Sequence, residues 1–71
     1  MAHLATIGIS QAVLIAETAY PGFVVEAELN NEEGFLVWNI EVVNLSQPQM
    51  RVELSIDAGN GRLLAVETSE D

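Results

Sequence analysis

The sequence predicts an α+β domain in which one N-terminal helix packs on a four-stranded antiparallel β-sheet, in the order α-β-β-β-β. Three observations lead to this fold class. A segment with helical spacing of apolar residues comes first, four segments that alternate between apolar and polar residues follow it, and short turn sequences separate them. Successive hairpins make an antiparallel meander, with one face under the helix and one face toward solvent.

The helix is predicted over residues 11–20. Ser10 is the expected N-cap, and Ile9 and Leu14 are expected to form a hydrophobic staple across the first turn. A Pro-Gly pair directly after Tyr20 ends the helix, because a proline disfavours helix in the residue before it. At 100° per residue one face is apolar and narrow, and it consists of Ala12, Ile15, Ala16 and Ala19.

The strands are predicted over residues 23–29, 35–43, 49–57 and 62–67. Turns are expected at 30–34, 44–48 and 58–61, where glycine, proline and asparagine concentrate; Pro48 is not expected inside a central strand. If Leu29 pairs near Leu36, Glu26 is expected opposite Asn39 and Val24 opposite Glu41. We therefore predict one domain over residues 9–67, a flexible lead-in at 1–8 and a loose acidic tail at 68–71.

Alternation assigns each strand residue to a face of the sheet. Phe23, Val25, Ala27 and Leu29 are expected under the helix together with Leu36, Trp38, Ile40 and Val42. The opposite face mixes valines with charged residues, which is typical of a modest protein interface, although scattered surface valines are also normal. The candidate protein-binding residues on this face are Val24, Glu26, Glu28, Val37, Asn39, Glu41, Val43 and Arg51.

The charge balance narrows the classes of partner. The chain has 11 carboxylates, two arginines and no lysine, for a formal net charge of -9. Nucleic acids and anionic membrane surfaces are disfavoured, because both need cationic side chains. A basic protein surface or a cation fits the charge, and acidity that only keeps the domain soluble is the simpler alternative. No apolar run is long enough to span a membrane, and no signal peptide is visible.

Groups that could carry chemistry are scarce. There is no cysteine, and His3, the single histidine, lies at the N-terminus, so a nucleophilic triad is not expected. The segment Asp57-Ala58-Gly59-Asn60-Gly61 contains oxygen ligands, but their spacing differs from that of a calcium loop, and we interpret it as a hairpin turn. We expect no catalytic residue, no cofactor and no metal site.

An ordered set of motifs resembles a known family. Ile9-Ser10 opens the alanine-spaced helix, Ala19-Tyr20-Pro21-Gly22 closes it, and a first strand, Gly34 and a Trp38-centred strand follow. The last part consists of a strand, the pairs Asp57-Ala58 and Asn60-Gly61, and a final strand. This order resembles the PepSY domain of peptidase propeptides and YpeB-like proteins, over most of residues 9–67.

The resemblance implies an extracytoplasmic setting (periplasmic, secreted or cell-envelope) and a non-catalytic regulatory role, often inhibition of a peptidase in the same chain or nearby. The expected partner is then a peptidase or a basic envelope protein. Two alternatives stay open. A chain of 71 residues buries little surface, so a self-associating homodimer without a dedicated target is one. Weak cation binding by the acidic surface is the other.

Overall fold

The computed structural model describes residues 7–44 and 46–70 of the chain. Within this part, one helix precedes four antiparallel strands that form a single sheet in the order β1-β2-β3-β4. The elements are α1 (Ile9–Ala19), β1 (Phe23–Glu32), β2 (Phe35–Asn44), β3 (Gln47–Asp57) and β4 (Leu63–Glu70). The predicted fold class is confirmed.

Helix α1 begins two residues earlier than its sequence signals indicate. Gly8 is the N-cap, and its N–H donates to Oε1 of Gln11 at 3.2 Å. The prediction of Ser10 as the cap is wrong, because Gln11 in the first turn already returns a hydrogen bond to Gly8. At the other end, the N–H of Tyr20 donates to the carbonyl of Ala16 at 2.8 Å, and Pro21 stops the helix.

The buried side of α1 is narrow. Ala12 and Ala16 are fully buried against the sheet, as their spacing predicts, whereas Ala19 is exposed. With Gly8 as cap, the two staple positions become Ile7 and Ala12, and both belong to the packed interior. The predicted staple is therefore wrong: Ile9 is 50% exposed and Leu14 is 64% exposed.

Strands β1 and β2 are joined by the two-residue turn Glu33-Gly34. Both residues have positive φ, 54° and 90°, as in a type I′ turn, whose twist matches that of the hairpin. The long strands leave only these two residues for the connection. Leu29 pairs with Trp38, so the expected pairing of Leu29 near Leu36 is wrong by two residues.

A β-bulge in β1 changes which residues face the helix. Val24 lies opposite Val42 and Glu26 lies opposite Glu41, so Val25 is the extra residue between them. Val24 packs against the core, whereas Val25 is 54% exposed and Phe23, opposite Val43, is 57% exposed, so the expectation that Phe23 and Val25 lie under the helix is wrong. The assignment of Val24 to the binding face is therefore wrong, because a strict period of two does not hold across a bulge.

Strands β3 and β4 are longer than predicted. β3 begins at Gln47 and includes Pro48, which falls where the register shifts between Val43 and Asn44. A proline is tolerated at such an irregularity because no ladder hydrogen bond is required of it. β4 continues to Glu70, so residues 68–70, expected as a loose tail, pair with β3.

The core lies between α1 and the inner face of the sheet. Trp38 packs against it as predicted, and its Nε1 donates to the carbonyl of Ile7 at 2.8 Å. The N–H of Ile7 in turn donates to the carbonyl of Ala58 at 2.7 Å. The predicted lead-in is thus anchored at Ile7, and His3 lies outside the described residues. The buried cluster consists of Ala12, Ala16, Ile40, Val42, Val52, Leu54 and Ile56.

Helix α1 has 11 residues, and no helix in the described part of the chain is long and apolar enough to cross a membrane.

Candidate protein-binding face

The face of the sheet opposite α1, here termed the outer face, carries most of the predicted binding residues. Cross-strand pairing places Glu26, Glu28, Val37, Asn39, Glu41, Val43 and Arg51 on it. The same alternation adds Asn30 and Glu32 of β1, Phe35 of β2, Glu53, Ser55 and Asp57 of β3, and Ala65, Glu67 and Ser69 of β4. Leu64, the extra residue at the register shift in β4, lines the same face.

Four glutamates stand in line across the outer face, one on each strand. Glu26 pairs with Glu41, Glu41 with Glu53, and Glu53 with Glu67. We term this set the glutamate row. Directly opposite residues have Cβ atoms about 5 Å apart, and like charges in such pairs destabilise a sheet. Pairs of this kind weaken the association of the strands rather than strengthen it.

One arginine partly offsets the glutamate row. Nη1 of Arg51 lies 2.9 Å from Oε2 of Glu41, and the side chains are 50% and 19% exposed respectively. Glu26, Glu53 and Glu67 are all exposed. An ion pair at this degree of exposure stabilises by at most about 1 kcal/mol, so it does not cancel the repulsion along a row of four carboxylates.

A chain of polar side chains crosses the sheet beside the glutamate row. Nδ2 of Asn30 donates to Oδ1 of Asn39 at 2.7 Å, and Nδ2 of Asn39 donates to Oγ of Ser55 at 3.0 Å. Nδ2 of Asn30 also donates to Oε1 of Glu28 at 3.2 Å. These bonds link side chains of three neighbouring strands, β1, β2 and β3.

An apolar cleft of about 490 Å³ opens at the end of the outer face nearest the β1–β2 turn. Val37 forms its floor and is only 3% exposed, although it points away from the helical core. Phe35 and Leu64 flank it, at 56% and 52% exposure. Its acidic rim consists of Glu32, Glu33 and Asp57.

A second hollow of about 300 Å³ lies on the helix side. Tyr20 lines it and is 40% exposed. Its other described walls come from the β2–β3 hairpin and from β4, and none of the described lining residues is charged. As far as the structure describes them, the two hollows differ in chemistry, since the outer one alone joins apolar walls to carboxylates.

The turn between β3 and β4 uses its oxygen ligands internally. Oδ1 of Asp57 accepts from the N–H of Gly59 at 2.7 Å, and Oδ1 of Asn60 accepts from the N–H of Arg62 at 2.8 Å. Gly61 has a φ of 78°, so the expected hairpin turn is confirmed. Among residues 7–44 and 46–70, no three His, Cys, Asp or Glu side chains come together as metal ligands.

Several residues of the outer face were not among the predicted site residues. Glu53 and Glu67 complete the glutamate row, and Phe35, Asp57 and Leu64 build the cleft. The alternation of β3 already places Glu53 on this face. Only the pairing of strands shows that it aligns with glutamates on both sides, because register is a property of two strands together.

Comparison with known proteins gives one result. Residues 6–67 match the PepSY family, described as the peptidase propeptide and YPEB domain. Neither a curated protein nor a solved structure shows significant similarity to the chain. The match covers nearly the whole chain and agrees with the helix followed by four antiparallel strands. This protein therefore belongs to the PepSY family, a family of propeptide and regulatory domains rather than of enzymes.

Proposed function

We propose that this chain is a non-catalytic regulatory module that modulates or inhibits a peptidase of the cell envelope. Membership of a family described by peptidase propeptides supports this role. Domains of this family are typically extracytoplasmic, which supports a periplasmic, secreted or envelope location. The peptidase is expected in the same polypeptide or encoded nearby.

The open outer face is the observation that carries the proposal. Helix α1 packs on the inner face over the core residues, mainly against β1 and β2, and does not pack on the outer face. The outer face holds the apolar cleft beside the glutamate row, and the paired like charges of the row oppose stability. A protein partner with cationic groups would relieve this repulsion and cover the cleft.

A peptidase assay tests the proposal directly. The purified domain is added to the peptidase fused to it or encoded beside it, and hydrolysis of a fluorogenic peptide is followed as the domain is titrated. We expect a saturable change in rate at a defined stoichiometry. If neither binding nor a change in rate occurs with any envelope peptidase of the host, the regulatory role is wrong.

A control separates regulation from catalysis. The domain alone is incubated with unfolded casein and with the fluorogenic peptide. We expect no hydrolysis, because an exposed sheet face offers no enclosed site for acid–base chemistry. Hydrolysis that survives repurification and follows the domain through chromatography would contradict the non-catalytic role.

Self-association is the second candidate, and the edge strand β4 favours it. Leu63, Leu64 and Val66 are 39%, 52% and 38% exposed on this strand. The register shift beside Leu64 works against strand addition, because bulges twist an edge away from a partner. Sedimentation or light scattering distinguishes the candidates: a concentration-dependent dimer supports self-association, and a strict monomer excludes it.

A further inference from the structure

We propose that the outer face is a two-part docking surface for a basic segment of the protein partner, with the apolar cleft taking a large apolar side chain and the glutamate row taking lysines or arginines. This inference rests on the proposed function and specifies the partner's chemistry. Three observations support it. The cleft and the glutamate row lie on the same face, both carry carboxylates, and other classes of partner do not fit this charge.

The cleft is shaped for an anchor residue. Val37 is buried at its floor while Phe35 and Leu64 stand half-exposed beside it. About 490 Å³ is enough for a leucine or phenylalanine side chain. Buried apolar anchors in pockets of this kind carry most of the affinity of a protein interface. The carboxylates of Glu32 and Asp57 at the rim favour a cationic flank on the anchor.

The glutamate row lies within reach of the same partner segment. Val37 and Glu41 are four residues apart on β2, which corresponds to about 13 Å along a strand. An extended segment that lies along β2 with its anchor over Val37 would therefore place its fourth following residue over Glu41. In an extended segment, the residues two and four positions after the anchor point to the same side as the anchor. The first of them would lie over Asn39 and the second over Glu41.

Charge complementarity selects a basic segment over the other occupants. A second copy of this chain would bring its own carboxylates against the row, and each copy carries a net charge of -9. Nucleic acid and anionic lipid carry the same sign as the face. A metal ion alone has no converging ligand set among the described residues. A basic segment along β2 would bring a cation beside Glu26 and Glu53, the two neighbours of Glu41 in the row.

A peptide titration tests the inference. The probe is a nine-residue peptide of glycine and serine with one phenylalanine and with lysines two and four positions after it. Binding is measured by calorimetry at low salt and again at 0.5 M salt. We expect a Kd between about 10 μM and 1 mM, weakened roughly tenfold or more by salt. A peptide with glutamates in place of the lysines should not bind.

Charge reversal on opposite sides of the molecule provides the matched controls. Glu53→Lys changes the glutamate row, and Glu17→Lys makes the same charge change on α1. We expect about tenfold weaker binding for the first and less than about twofold for the second. Leu64→Ser, at the cleft wall, should weaken binding of the phenylalanine peptide but not of its serine analogue. Circular dichroism verifies that each variant is folded.

The outcomes separate this inference from the proposed function. Failure of the unaltered domain to bind the peptide, or equal weakening by Glu53→Lys and Glu17→Lys, overturns the docking surface. Glu53→Lys is also tested in the peptidase assay. If it regulates the peptidase as well as the unaltered domain does, the regulatory role stands and the docking surface is wrong. If the peptide binds as expected but no peptidase responds, the docking surface stands and the regulatory role is wrong.

Discussion

Glu41 and Glu53 lie directly opposite each other on β2 and β3, on the face of the sheet that α1 leaves open. Each also faces a further glutamate, on β1 or on β4. Cross-strand pairs are the units that stabilise a sheet, and this arrangement places like charges in three consecutive pairs. A stability cost concentrated on an open face is typical of a surface kept for binding.

Replacing the central glutamate should stabilise the domain. Glu53→Gln removes two like-charge contacts, so we expect the free energy of unfolding to rise by about 0.2–1 kcal/mol at low salt. Urea unfolding measures the change. Glu32→Gln is the matched control, because Glu32 lies opposite Phe35 rather than a carboxylate. Equal stabilisation by both variants would show that net charge matters and the glutamate row does not.

A substitution in the β1–β2 turn should also stabilise the domain. Glu33 has a φ of 54°, a conformation that asparagine tolerates better than glutamate. Glu33→Asn creates the Asn-Gly pair preferred in type I′ turns, and we expect up to about 1 kcal/mol of added stability. Thermal unfolding tests this expectation. A lower midpoint would mean that the Glu33 side chain stabilises the turn.

The indole of Trp38 should hold Ile7 in place beside the sheet. Trp38→Phe removes the donor to the Ile7 carbonyl, and we expect a loss of about 1–3 kcal/mol from the unpaired acceptor and poorer packing. Hydrogen exchange gives the specific readout. In the variant, the amide of Ile7, which donates to Ala58, should lose more of its protection from exchange than the amides of the β2–β3 ladder lose. Unchanged protection at Ile7 would show that Trp38 acts through packing alone.

Gly22 should be intolerant of a side chain. A Cβ at this position would lie 2.6 Å from the carbonyl oxygen of Val43 and 2.9 Å from Cγ1 of Val42. The backbone must shift to admit it, so Gly22→Ala should destabilise by about 1–3 kcal/mol. Chemical unfolding measures the loss. Stability equal to that of the unaltered domain would mean that the close approach of this segment to β2 is not required.

Periodicity predicts the elements of this fold well because each element obeys its own period. The alanine spacing of α1 and the alternation of β2 are local properties, and Ala12, Ala16 and Trp38 lie where they were expected. The exceptions arise from contacts between elements. A bulge opposite β2 turns Val24 toward the helix, and a hydrogen bond from Gly8 to Gln11 moves the start of α1.

The candidate face was predictable in outline and not in detail. Seven of its eight predicted residues lie on the outer face, because alternation holds along β2 and β3 and in β1 beyond the bulge. The burial of Val37 was not predictable, since its cover comes from the hairpin end and from Leu64 on a distant strand. Alignment of Glu53 with Glu67 likewise depends on the β3–β4 register.

Mapping the bound peptide on the isotope-labelled domain shows whether the outer face binds. Backbone amide chemical shifts are followed by NMR as the lysine- and phenylalanine-containing peptide is added. We expect the largest changes at Val37, Asn39, Glu41 and Glu53, with α1 nearly unaffected. Changes concentrated in α1, or spread evenly over both faces of the sheet, would contradict this expectation.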